Sequence, residues 1–249
     1  MKLKTVQATA FKALFEVLKD ILNDINMYFS PEGIKISTLD TARAALVDFF
    51  LASENFEEYH CTKDDAVSAG INITNTFKLL KSISVNDTLT IEINDREYMN
   101  IKIENSQKKS STTFQLKLLD INEDFLEIPK TDMTVVTTMP SVDLQKICRD
   151  MNNIGTEVTI SRRGNLFSIN CDGDFANQQT SLECVDDQNF SGHIEGTYSL
   201  KYINMFTKAT NMCSIVQIMQ EDQNRFLIIK YNIANLGELH FYVATKVCE

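Results

Sequence analysis

Three histidines (His60, His193 and His240) and six cysteines (Cys61, Cys148, Cys171, Cys184, Cys213 and Cys248) are the side chains best suited to nucleophilic, proton-transfer or metal chemistry in this 249-residue chain. Their spacing gives them little to do. There is no CxxC pair and no second histidine at ligand spacing, so neither a zinc site nor a disulfide framework is expected, and no metal is called for. Scattered thiols of this kind fit a reducing compartment. There, the Asn-x-Ser/Thr triplets at Asn72, Asn86 and Asn189 mean little as glycosylation signals. His60 and Cys61 could act as base and nucleophile only if they pointed together, but neighbours on a strand point to opposite faces. Asp172-Gly173-Asp174 opens like a calcium loop, lacks the later ligands and the closing Glu, and reads as a turn. No P-loop, GxGxxG, HExxH or GxSxG signature is present. The chain is therefore expected to have no catalytic residues and to need no cofactor.

Basic residues do recur in a pattern. Lys12 and Lys19 belong to one amphipathic segment, Lys78 and Lys81 to a second, Lys146 and Arg149 to a third, and Lys201 and Lys208 to a fourth. These segments hold eight bases against five acids (Glu16, Asp20, Asp24, Asp143 and Asp150), while the rest of the chain holds 16 bases against 29 acids. For any one helix this is an ordinary solvated face. Four such faces in a chain of net charge −10 are the electrostatic footprint of phosphate binding. Aromatic residues do not interleave with the bases, so stacking on single-stranded bases is not indicated.

Those bases need helices to hold them. Phe11, Leu14, Phe15, Leu18, Ile21, Leu22 and Ile25 repeat at three and four and predict one amphipathic helix. A second is predicted over about 75–84 with Phe77, Leu80 and Ile83 inward. A third follows Pro140, with Ser141 as its N-cap and Leu144, Ile147, Cys148 and Met151 inward, and a fourth over about 199–209 buries Leu200, Ile203 and Phe206. Nearly everything else alternates as strand, at 3–9, 27–30, 34–38, 45–52, 66–73, 88–93, 98–104, 112–118, 133–139, 157–162, 165–170, 179–185, 215–220, 225–233 and 239–245. Turn signals such as Ser30-Pro31-Glu32-Gly33 and Arg163-Gly164-Asn165 separate them. The class is strand-dominated α+β.

Hydrophobic residues at 43%, charged residues at 23%, 3 Pro and 8 Gly exclude a disordered, collagenous or linker-rich chain. The length suits two domains of about 125 residues, each able to bury a core. The longest apolar stretch, 44–52, is broken by Asp48 and falls far short of the roughly 20 residues that span a bilayer. The polar N-terminus has no apolar core of a signal peptide, so no membrane association is expected. Residues 119–133, acidic and without a clear period, read as a linker between domains 1–118 and 134–249. The halves also match one another. A shift of 130 places Leu14 on Leu144 and Lys19 on Arg149, and one of 126 places Phe77 on Ile203, which points to a duplicated domain.

Several runs carry a family resemblance: Leu14-Phe-Glu-Val-Leu-Lys-Asp20, Ile147-Cys-Arg-Asp150, Lys117-Leu-Leu-Asp120, Met139-Pro-Ser141, Tyr202-Ile-Asn-Met-Phe-Thr-Lys-Ala209 and Phe241-Tyr-Val-Ala-Thr-Lys246. In order and over the whole length, the chain resembles the proliferating cell nuclear antigen family of sliding clamps. The resemblance implies a DNA clamp fold of two similar domains, each an antiparallel sheet with two helices, closing as a homotrimeric ring around duplex DNA that it holds without regard to sequence. It implies service as a processivity factor and docking platform for a DNA polymerase, a clamp loader and other proteins that carry a clamp-interacting peptide motif, in the nucleus or a viral replication compartment. A checkpoint-type or heterotrimeric clamp subunit, or a monomeric factor that grips DNA without encircling it, is the alternative.

Carried over by position, the resemblance implies a partner-peptide pocket of Leu39, Leu46, Leu126, Ile128, Phe226, Tyr242 and Ala244, with Arg43 and Ala44 at its rim. It also implies that strand 110–118, with Phe114, Leu116 and Leu118, pairs edge to edge with strand 176–184 of a neighbouring copy, where Thr180 and Leu182 lie. Phe226 and Thr245 stand where the family usually has Pro, and Arg43 where it usually has His. The loop Ser161-Arg162-Arg163-Gly164 is shorter than usual and has no Lys where many members carry ubiquitin. Those departures, with frequent Asn and Ile, suit a viral or protist clamp.

Overall fold

The computed structural model describes residues 1–63, 66–122, 125–128, 133–184, 190–221, 223 and 225–246. In chain order these form β1 (Lys2–Thr5), α1 (Ala8–Leu18), β2 (Asp24–Ser30), β3 (Gly33–Leu39), β4 (Ala45–Ala52), β5 (Glu58–His60), β6 (Val67–Asn72), α2 (Ile73–Leu80), β7 (Thr88–Glu92), β8 (Tyr98–Asn105) and β9 (Ser110–Lys117). They continue with β10 (Val135–Pro140), α3 (Ser141–Met151), β11 (Glu157–Arg163), β12 (Leu166–Asp172), β13 (Asn177–Glu183), β14 (His193–Ser199), α4 (Leu200–Phe206), β15 (Ile215–Gln220), β16 (Phe226–Ile233) and β17 (Gly237–Ala244). Short 3-10 helices lie at Ser53–Asn55 and Thr207–Asn211.

Two compact units result. The first takes Met1–Thr41, Val47–Glu127 and Asn232–Leu239, and the second takes Ala42–Leu46, Ile128–Tyr231 and the chain from His240 onward. In the first, β5, β1, β7, β8 and β9 lie side by side, with β9 at the edge, while β4, β3, β2 and β6 follow one another with β6 at the edge. In the second, β13, β12, β11 and β14 form a four-stranded sheet with β13 at its edge, and β10, β15, β16 and β17 lie side by side. Helix α1 packs on α2, and α3 on α4. The cores lie beneath those helices: Phe11, Leu14, Phe15, Ile91 and Ile101 are buried in the first unit, and Leu144, Phe167, Ile203, Phe206 and Phe241 in the second. The Phe206 and Phe241 rings stack with centroids 4.5 Å apart, and burying each such side chain stabilises a unit by about 1.5–3 kcal/mol.

Three expectations about the helices change. The spacing predicts a first helix reaching Ile25, but α1 stops at Leu18. A turn closed by the Leu22 N–H on the Leu18 carbonyl (2.8 Å) follows, and Asp24 and Ile25 belong to β2, with Ile25 buried on the sheet. Helix α2 begins earlier than predicted because Asn72 caps it, its side chain accepting from the Asn75 N–H at 2.9 Å. Ser141 is not an N-cap. It is the first helical residue, and its hydroxyl donates to the Cys213 carbonyl at 2.6 Å, while Pro140, at φ −60° and ψ 130°, occupies the cap position.

Two strands escape the sequence reading. β5 has only three residues and no buried side chain, and β14 carries Gly196 at one of its inward positions. The duplication is real but its register is different. α1 and α3, β2 and β11, and β3 and β12 have equal lengths and start 133 residues apart, not 130, so Phe11 corresponds to Leu144 and Phe15 to Cys148. The expected linker 119–133 is described only in part, as 119–122, 125–128 and 133. Residues 123, 124 and 129–132 lie outside the described residues, as do Asn189 and Cys248.

Candidate nucleic-acid and partner interfaces

In the first unit Lys12 lies on α1, Lys19 closes it, Lys78 lies on α2 and Lys81 closes that helix. In the second unit Lys146 and Arg149 lie on α3, Lys201 on α4 and Lys208 in the 3-10 turn after it. Lys78, Lys81, Lys146, Arg149, Lys201 and Lys208 are exposed, and Lys12 and Lys19 half-buried. Since α1 packs on α2 and α3 on α4, each unit presents four bases on one helix pair. Their surroundings differ. The Lys12 ammonium donates to the Ile83 carbonyl at 2.8 Å, tying α1 to the chain after α2. Lys19 pairs with Asp20 at 2.9 Å and lies 5.5 Å from the Phe77 ring centroid. Lys78 donates to Asn75 Oδ1 at 3.1 Å, and Lys201 lies over Tyr202 at 5.7 Å. These contacts hold the aliphatic stems against the helices while leaving the exposed ammonium groups able to meet diffuse negative charge.

Among the described residues β9 has a strand neighbour on one side only, β8, with Ile101 opposite Phe114 and Tyr98 opposite Lys117. Among those residues β13 likewise pairs only with β12, with Ile169 opposite Thr180 and Phe167 opposite Leu182. Phe114, Leu116 and Leu118, and Gln178, Thr180 and Leu182, are half-buried and alternate with exposed residues. Unpaired backbone groups beside half-covered apolar side chains invite another strand.

Of the expected peptide-pocket residues, Leu39 and Leu126 fall in the first unit and are 39% and 38% exposed. The others fall in the second, where Arg43, Ala44 and Ala244 are exposed and Leu46, Ile128, Phe226 and Tyr242 half-buried. Arg43 holds φ at 56°, a left-handed conformation uncommon for a side chain of its size. The Phe226 and Tyr242 rings come within 5.7 Å at 59°. Two groups that the sequence reading omitted complete this aromatic cluster. His240 lies 6.4 Å from Tyr242, and the Arg225 guanidinium lies 5.7 Å from the Phe226 centroid. Arg225 is fixed by two hydrogen bonds of 2.8 Å to the buried Glu221, which hold the Glu221 carboxyl below its usual range. In the sequence the sole sign of this pairing is the four-residue spacing of Glu221 and Arg225.

The sequence comparisons decide the family. A model of the proliferating cell nuclear antigen N-terminal domain matches residues 1–126, and one of its C-terminal domain matches residues 127–246. The chain belongs to the proliferating cell nuclear antigen family. It is 36% identical over 256 residues to the probable DNA polymerase sliding clamp 1 of Paramecium bursaria Chlorella virus 1, covering 97% of this chain and 95% of that protein. It is 32% identical over 258 residues to the proliferating cell nuclear antigen of Dictyostelium discoideum, covering 98% of each. The two antiparallel units with a helix pair apiece are those of the DNA clamp fold, as the resemblance implies.

Two of the thiols, those of Cys148 and Cys171, are buried. Burial pushes the Cys148 thiol up to about 12, which keeps it protonated and inert. Cys171 is also raised, by burial and then by Asp172. The Asp172-Gly173-Asp174 segment is a turn, closed by the Gly173 N–H on the Ala176 carbonyl at 3.1 Å. Among the described residues no group of three or more His, Cys, Asp or Glu side chains is placed to hold a metal ion.

Proposed function

We propose that this chain is a DNA sliding clamp and polymerase processivity factor that works as a closed homotrimer, without catalysis, in a nucleus or a viral replication compartment. One observation carries the reading: each unit of an acidic protein gathers four bases on a single helix pair. Enclosure supplies the lifetime on DNA, so the phosphate contacts can be weak, sequence-independent and mobile. β9 of one copy pairs with β13 of the next, and a head-to-tail contact of this kind generates a ring when its rotation closes. Whether the protein stays on closed circles of DNA and leaves linear molecules tests the reading.

Partners, a polymerase and a clamp loader among them, dock through a short peptide whose apolar side chains cover Ile128, Phe226 and Tyr242. Burying two aromatic side chains contributes several kcal/mol at about 25 cal/mol per Å², of which ordering costs remove a large part. Ile128→Ala is expected to weaken a clamp-interacting peptide about tenfold in calorimetry, with the native mass unchanged. Equal affinity would place the partner site elsewhere.

A further inference from the structure

The two unpaired edge strands end beside exposed apolar side chains. Tyr98 is 37% exposed and Leu119 41%. Tyr98 stands opposite Lys117 on β9, and Leu119 follows two residues later, its N–H bonded to the Gly70 carbonyl at 2.8 Å. Both line an open groove of about 790 Å³ in the first unit, together with Arg96, Glu97, Lys117 and Asp120. At the end of the other edge, in the turn between β12 and β13, Phe175 is 77% exposed, more than any other large hydrophobic residue described. Aromatic rings left this bare mark contact surfaces.

We infer that Phe175 of the partner subunit seats in this groove, against Tyr98 and Leu119. The inference rests on the ring reading above, and strand geometry carries it further. Antiparallel partners place directly opposed side chains on the same face, so the half-buried even positions of β9 must meet the half-buried even positions of β13. Setting Phe114 opposite Thr180 satisfies this and pairs both strands along their whole length, with Lys117 opposite Asn177. Two residues further, Gly70 of β6 already takes the edge beside Leu119, so the partner chain leaves the strand line there, in the turn that carries Phe175 over the groove. The ring then covers the exposed faces of Tyr98 and Leu119, forming an aromatic pair with Tyr98. Charge helps to orient the turn: Asp172 and Asp174 flank Phe175, and Arg96 and Lys117 stand in the groove. Glu97 and Asp120 in the same lining offset most of the net attraction, so the contact is chiefly apolar and depends little on salt.

The test combines dissociation with cross-linking. Light scattering over a dilution series follows the wild type, Phe175→Ala, Tyr98→Ala and the double variant. Each single change is expected to raise the concentration at which trimers dissociate about tenfold, and the double change little more than either alone. Phe175→Cys combined with Tyr98→Cys, under mild oxidation, is expected to give covalent dimers and trimers that neither single variant gives. A wild type that remains at 28.3 kDa at every concentration would overturn the ring itself. Wild-type trimers with no cross-link in the double-cysteine protein would overturn the groove contact and leave the ring standing, and so would an unshifted midpoint in Phe175→Ala.

Discussion

Replacing Lys19, Lys78, Lys146 and Lys208 together by Ala is expected to weaken the clamp's hold on duplex DNA about a hundredfold at moderate salt. Each of these lysines lies on, or at the end of, one of the four helices. Every ammonium that neutralises a phosphate releases a counterion, contributing about 0.9 to the slope of log affinity against log salt. In a homotrimer the change removes twelve ammonium groups, and the slope should flatten by about 0.9 for each of them that meets a phosphate. Lys12 is left in place because its ammonium holds the Ile83 carbonyl, and removing it would disturb the packing of α1 as well as charge. The native mass and melting temperature should barely move, since Lys78, Lys146 and Lys208 are exposed and the Lys19–Asp20 pair is partly so, and exposed ion pairs contribute little. Salt titration of DNA binding reads the result. An unchanged slope would count against a DNA-facing role for the helices.

Gly33→Ala is expected to destabilise the first unit by about 3 kcal/mol or more, lowering its melting temperature by about 6–12 °C. Gly33 opens β3 after the turn from β2 and holds φ at +148°, where an L side chain is strained. A Cβ there would also lie 2.1 Å from the Leu51 carbonyl oxygen, and that neighbour is backbone, with no rotamer to give way. The turn around it is tied by Ser30 Oγ to Glu32 at 2.6 Å, by the Tyr59 hydroxyl to the Ser30 carbonyl at 2.7 Å and by the Ser53 N–H to the Glu32 carbonyl at 2.9 Å. The chain therefore has little freedom to relax. Thermal denaturation decides it, and a melting temperature within a degree or two of the wild type would show that this strand can shift.

Ser30-Pro31-Glu32-Gly33 shows both the reach and the limit of sequence reading. Its composition announces a turn, but only the approach of Leu51, 18 positions away, explains why the fourth residue must lack a side chain. The helix faces were legible because apolar spacing at three and four is a local signal, and the eight bases follow from it directly. The same periodicity hid the true repeat. An amphipathic helix shifted by three or four residues still sets apolar on apolar, so 130 looks as good as 133 until the strands after each helix fix the count. Ile25 continues the helical spacing, although Asp24 before it has already entered the sheet, pinned by the Asn72 side chain at 2.6 Å. Tyr98, Leu119 and Phe175 gave no signal at all. An isolated apolar residue in a turn is common, and only the pairing of β8 with β9 and the edge position of β13 bring these three into one argument.

The claim that this clamp encircles DNA is tested most directly by topology. The trimer is loaded by a clamp loader onto a nicked circular duplex, washed at about 0.5 M salt, where phosphate contacts alone lapse, and assayed before and after a single restriction cut. The account predicts that the protein survives the wash on the circle and is lost within minutes of linearisation, when it can slide off the ends. Loss in the wash from the intact circle, or retention on the cut molecule, would contradict a closed ring around the duplex.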